Sequence, residues 1–164
     1  MDIFEAIKQR KSVREYSDKK VPKEIFEEII DAGRVAATAR NVQPWEFIVT
    51  SDKEVLDKIC GLCPNGPFIK DAPHLIAVFS KDTKYYLEDC SAATQNMLLA
   101  IEALGLGGCW VAGDKKDYVE DIRKIFKVPE GYKLVSMISV GYPKNKQGPK
   151  AKKDLKEILH WQTW

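Results

Sequence analysis

At 164 residues and 45% apolar composition the chain can bury a sizeable core without disulfide or metal staples. Its 26 basic and 24 acidic residues leave a formal charge of +2, a balance that argues against a nucleic-acid or membrane-surface binder, where basic residues would dominate. No run approaches the roughly 18 apolar residues of a membrane span, and the amino terminus lacks the charged-then-apolar pattern of a signal peptide, so a cytoplasmic single domain over residues 1–164 is expected.

The first element is a helix over residues 2–9. Ile3, Phe4 and Ile7 recur three and four apart, and this stripe would hold the adjoining charged cluster against a core. That cluster is Arg10-Lys11-Ser12-Val13-Arg14, three cations and a hydroxyl in five residues. Ionised donors bind phosphate about twice as strongly as neutral ones, and Arg can fork onto two oxygens, so the cluster reads either as an anion site or as a solvated basic patch. Pro22 sits where a first-turn proline belongs, and Ile25, Phe26, Ile29, Ile30 and Ala37 predict a second helix through residue 38.

A strand is expected at Phe47-Ile48-Val49, a helix capped by Asp52 through Ile59, a Pro-Gly loop at 64–67 and a buried strand at 75–79. The Cys60-x-x-Cys63 pair has metal or redox spacing, but Cys90 and Cys109 supply no second pair, so reduced thiols and no metal site are expected. His74 reads as a structural imidazole rather than a base, and His160 carries less signal. Residues 84–104 form the longest predicted helix, poor in charge after Asp89 and therefore buried against a sheet or another subunit. Gly105 stops it. A strand at 108–112, a helix from Asp114 or Asp117 to Phe126, a strand at 134–142, a Lys-rich tail with a short helix at 154–159, and Trp161 and Trp164 complete the chain. The pattern is α+β, an α/β three-layer arrangement with helices on both faces of a small mixed sheet.

Four segments in order carry a family resemblance: Arg10-Lys11-Ser12-Val13-Arg14, Asn41-Val42-Gln43-Pro44-Trp45-Glu46-Phe47-Ile48-Val49, Ala93-Thr94-Gln95-Asn96-Met97-Leu98-Leu99-Ala100 and Gly105-Leu106-Gly107-Gly108-Cys109-Trp110. With them the chain resembles the small FMN-dependent nitroreductases from Met1 to about residue 160. No GxGxxG or P-loop competes with this reading. The resemblance implies a nitroreductase-like fold in an intertwined homodimer with FMN at the interface. It implies Arg10 at the phosphate within a basic segment that includes Lys11, Ser12 on a ribityl or ring oxygen, and Arg14 at the pyrimidine edge, where a cation offsets charge gained on reduction and serves catalysis.

By the same resemblance Lys150 and Lys152 reach the phosphate, although a Lys-rich tail can equally be solvated, and Asn65 meets the ring, although Asn in a Pro-Gly loop is ordinary turn chemistry. Backbone amides of Val111, Ala112 and Gly113 face the central ring, while the nearby glycines also suit a helix stop and a close-packed strand. The resemblance also implies that Thr38, Ala39 and Asn41 act across the dimer. Ala37-Thr38-Ala39 departs from the Pro-Ser-Ser or Pro-Ser-Ala usual in relatives, which leaves substrate preference open. Trp45 is carried as structural. Tyr85, Tyr86 and the terminal tryptophans are candidates to close the acceptor pocket. The implied activity is an oxidoreductase in which NADH or NADPH reduces the flavin, which then reduces a small planar acceptor, a nitroaromatic or quinone, by double displacement. A flavin-binding protein with little turnover, or a specialised reaction such as dehalogenation or flavin reduction, is the alternative.

Overall fold

A computed structural model describes residues 1–164. The elements run α1 (Ile3–Gln9), α2 (Lys23–Arg34), β1 (Trp45–Thr50), α3 (Lys53–Leu62), β2 (His74–Lys81), α4 (Tyr86–Ala103), β3 (Gly107–Ala112), α5 (Val119–Ile125) and β4 (Tyr132–Gly141), with short 3-10 turns at Ala39–Asn41, Pro67–Asp71 and Leu155–Glu157. β2 and β4 lie at the centre of a four-stranded sheet ordered β1-β2-β4-β3. Both are near-continuous apolar runs because both their faces are covered. Every strand pair is antiparallel, with Trp45 opposite Ser80, His74 opposite Val140 and Gly107 opposite Gly141. The parallel component expected of a mixed sheet is a single bridge, Ser12 to Gly108.

Alternation along the strands separates two cores. Ile76, Val78, Ile138 and Val140 pack with Phe26 and Ile29 of α2 and Ala93, Met97 and Ile101 of α4, whereas Leu75, Ala77, Phe79, Leu134 and Met137 pack with Leu56 and Ile59 of α3 and Ile122 of α5. This is the three-layer arrangement read from the sequence. Gly33 lets α2 approach α4, since a Cβ there would lie 2.8 Å from Met97 Cγ. Gly105, at φ +74°, ends α4 and releases the chain into β3.

The structure corrects several element bounds. Pro22 is the N-cap of α2, and α2 stops at Arg34 instead of residue 38. Val35 already caps it, because the segment beyond turns through left-handed backbone at Arg40, Asn41 and Gln43. α5 starts at Val119, later than Asp114 or Asp117, because Gly113 and Asp114 both donate their amides to the Val135 carbonyl and keep the chain on the sheet. The tail holds one 3-10 turn capped by Asp154 in place of a helix over 154–159. α1 forms as expected on a capping box between Asp2 and Glu5. Its apolar stripe, however, faces outward: Ile3 is 58%, Phe4 70% and Ile7 52% exposed, and only Ala6 is buried. Within one copy of the chain, the stripe does not hold the cationic segment.

Candidate functional site

The cationic segment is held along the free edge of β3. Val13 N–H donates to the Gly108 carbonyl at 3.0 Å, and the Val13 side chain fills the space a Cβ on Gly107 would take, 2.7 Å from Val13 Cβ, Cγ1 and Cγ2. Farther on, the Tyr16 hydroxyl donates to the Val13 carbonyl at 2.6 Å and lies 2.7 Å from Ser139 Oγ on β4. Burial pushes this phenol far above its ordinary range, with the Ser139 hydrogen bond opposing. At the front of the segment Lys11 Nζ meets Glu102 Oε1 of α4 at 2.8 Å, both side chains largely buried. The Lys11 charge is thus committed to the fold, which leaves Arg10 and Arg14 as the cations of the segment without a carboxylate partner.

Cys109, the residue after Gly108 on β3, lies within electrostatic reach of Arg10, Ser12 and Arg14. Burial raises the Cys109 thiol pKa, while the Arg14 charge, the Ser12 hydroxyl and the Arg10 charge pull it down. The Arg14 guanidinium stands 5.5 Å above the Phe68 ring, a contact that orients it.

A cavity of about 690 Å³ opens beside this edge, lined by Arg14, Asn65, Trp110, Val111 and Ala112. The ladder decides which amides face it. Gly113 N–H donates to the Val135 carbonyl at 3.1 Å while the Gly108 carbonyl turns outward to Val13, so alternate residues point to β4 and to the open edge. The amides of Trp110 and Ala112 therefore face outward, and those of Val111 and Gly113 are taken by β4. Of the expected trio, Ala112 alone has its amide on the open edge; Val111 lines the cavity, and Gly113 is absent from the lining. Gly113 serves packing, because a Cβ there would lie 2.8 Å from Leu134 Cγ.

Tyr118, which no sequence pattern marks, joins two walls of the cavity. Its hydroxyl donates to the outward Ala112 carbonyl, and burial followed by the neighbouring Cys63 pushes its pKa up to about 12. Burial likewise pushes the Cys63 thiol up to about 11, so it is no ready nucleophile. All four cysteines are free, and no cluster of three or more His, Cys, Asp or Glu side chains is placed to hold a metal. His74 is buried, accepts Val21 N–H on Nε2 at 3.3 Å and packs on Phe26 at 4.6 Å between centroids, as a structural imidazole does. Trp45 is buried on β1.

Thr38, Ala39 and Asn41 lie away from this cavity. The Thr38 hydroxyl donates to Asp89 Oδ2 at 2.9 Å, and its oxygen accepts Gln43 N–H at 3.1 Å, so its proton is already used. Lys150 and Lys152 sit in the exposed tail, outside the lining. Tyr118 lines the cavity, and Glu102, Asp89 and Tyr16 hold the segments around it; the sequence alone does not single out any of the four. Glu102, Asp89 and Tyr16 are identified by partners distant in sequence, which composition and periodicity do not report.

The Nitroreductase family model matches residues 7–63 and 61–142 of this sequence. The chain belongs to that family. A curated relative from Methanothermobacter thermautotrophicus, "Putative NADH dehydrogenase/NAD(P)H nitroreductase", is 40% identical over 170 residues, covering 100% of this chain and 88% of the relative. A solved structure from Bacteroides thetaiotaomicron described in the same words superposes with TM-score 0.95 at 38% identity, covering 99% of this nitroreductase-family chain and 98% of the other. The FMN-dependent nitroreductase of Clostridium difficile R20291 superposes with TM-score 0.90 at 30% identity, covering 98% and 99%.

Proposed function

We propose that the chain is an FMN-dependent oxidoreductase that takes electrons from NADH or NADPH and passes them to a small planar acceptor such as a nitroaromatic or quinone. The observation that carries this reading is one cavity of about 690 Å³ in which Arg14, Asn65 and the outward edge of β3 meet, beside the segment that holds Arg10 and Ser12. The donor set suits FMN: fixed cations for its phosphate and for charge gained on reduction, and sheet-edge amides plus an Asn for its polar ring edge.

Bound FMN supplies hydride chemistry that the side chains lack. Arg14, steadied over Phe68, provides positive charge without reorganising. Ala112 offers its amide outward while Tyr118 fixes its carbonyl. Arg10 and Ser12 take the tail of the cofactor, with Lys150 and Lys152 as candidate phosphate cations from the C-terminal segment. Nicotinamide donor and acceptor use this cavity in turn, and solvent supplies protons.

The reading includes a single domain over residues 1–164 and a homodimer. Ile3, Phe4, Ile7 and Val35 are exposed beside a groove of about 410 Å³ lined by Leu99, Ala100 and Ala103. Leu155, Ile158, Trp161 and Trp164 in the tail are exposed as well. Apolar surface of this extent fits a second copy of the chain, whose 38–41 loop would then reach the first copy's flavin. The test is an initial-rate study at several acceptor concentrations with the FMN-loaded protein. Parallel double-reciprocal lines are expected of one shared cavity, and intersecting lines would contradict it.

A further inference from the structure

The loop from Thr38 to Gln43 is held in a shape its residues do not favour. Arg40, Asn41 and Gln43 have φ of +53°, +56° and +51°, and none of the three is glycine. Left-handed backbone at such residues persists only where the surroundings over-determine it.

What over-determines it here is a buried carboxylate. Asp89, 5% exposed in the first turn of α4, accepts the Thr38 hydroxyl at 2.9 Å on one oxygen and the Ala39 amide at 3.0 Å on the other. The Thr38 oxygen accepts Gln43 N–H at 3.1 Å, so one hydroxyl ties both ends of the strained loop to one carboxylate. Asp89 stands in the first turn of α4, where a helix favours an anion, and each of its oxygens accepts one of the two bonds. The outer residues of the loop, Arg40 and Asn41, stay exposed.

We propose that Asp89 and Thr38 are positioning residues that lock the 38–43 loop in the one conformation able to meet the flavin bound by a second copy of the chain. The inference rests on the dimer reading above. It replaces the hydroxyl contact expected of Thr38 with an indirect role, and it makes a carboxylate outside the flavin cavity a determinant of flavin affinity.

The experiment measures FMN dissociation constants of the full chain by flavin fluorescence for Thr38→Val, Thr38→Ser, Asp89→Asn and Asn41→Ala, together with the unfolding transition of each FMN-free protein. A loop released to about ten conformations binds about tenfold more weakly, in proportion to the competent fraction that remains. Thr38→Val should therefore raise the FMN dissociation constant about tenfold, and Thr38→Ser, which restores the hydroxyl, should return it to near wild type. Asp89→Asn should match Thr38→Val, because its amide donates toward an oxygen that already accepts Gln43 N–H and leaves the Thr38 proton unpaired. If Thr38→Val does not fold, Asp89→Asn is scored in its place. Wild-type affinity in the folded Thr38→Val or Asp89→Asn protein, or failure of Thr38→Ser to restore it, overturns the lock. Asn41→Ala separates the two levels: weakened FMN binding there alongside an unaffected Thr38→Val refutes only the lock, whereas wild-type affinity in both refutes the placement of the loop at the flavin as well.

Discussion

Replacing Glu102 with Gln should destabilise the protein by about 3 to 5 kcal/mol, the cost of leaving one charge of a buried pair without its partner. Geometry sets the magnitude. Lys11 Nζ and Glu102 Oε1 are 2.8 Å apart, and their side chains are 16% and 10% exposed. At an effective dielectric of about 20 that separation is worth about 6 kcal/mol of attraction, much of it offset by desolvation. Neutralising Glu102 removes the attraction and keeps the Lys11 desolvation, so the loss is large, and in a chain of this length it should lower the Tm by about 10 °C. Lys11→Met should cost a similar amount, whereas Lys11→Met combined with Glu102→Gln should cost less than the sum of its parts. Urea unfolding of the FMN-free protein measures all four corners of the cycle. Single variants within about 0.5 kcal/mol of wild type, or a Lys11→Met protein of normal stability that binds FMN as poorly as an Arg10 variant, would refute the structural assignment and return Lys11 to the phosphate.

Gly107→Ala places a methyl 2.7 Å from the buried Val13 side chain, so it should cost about 1 to 3 kcal/mol by overpacking and weaken FMN binding by moving the Arg10–Arg14 segment; denaturation and flavin fluorescence check both, and an unperturbed flavin site would contradict the edge placement. His74, with its pKa lowered first by burial and then by the Lys20 charge, contributes stability that is complete above the unfolded value near 6.5 and is lost as pH falls through the lower folded value. His74→Gln should flatten that part of the stability profile between about pH 7 and 5, and an unchanged acid slope in the variant would refute this. Arg10→Ala should weaken FMN by about ten- to hundred-fold through loss of a charge-assisted contact, and Arg14→Ala should slow flavin reduction more than it weakens binding; stopped-flow traces showing the reverse order would exchange their roles.

Where burial alone decides structure, the sequence was readable. The apolar runs of β2 and β4 and the charge-poor α4 announce a covered sheet because hydrophobic burial writes itself into local pattern. The cationic segment and the Gly107-Gly108 edge were readable as types, though their meeting was not. It takes the Ser12–Gly108 bridge to bring residues about 100 positions apart together. Pairing choices escaped altogether. Nothing near Lys11 names Glu102, nothing near Thr38 names Asp89, and the assignment of outward amides to Trp110 and Ala112 depends on ladder parity set by the Gly113–Val135 bond. The outward stripe of α1 misled because amphipathicity reports that a face is covered without saying by what.

The most direct measurement is the visible spectrum of the purified protein under anaerobic conditions, first alone, then with NADH or NADPH, then with a quinone or nitroaromatic. The account predicts an FMN band that bleaches on addition of the nicotinamide and returns on addition of the acceptor, with Arg14→Ala slowing the bleaching. A protein that takes up no FMN, or one whose flavin band is untouched by either nicotinamide, would contradict it.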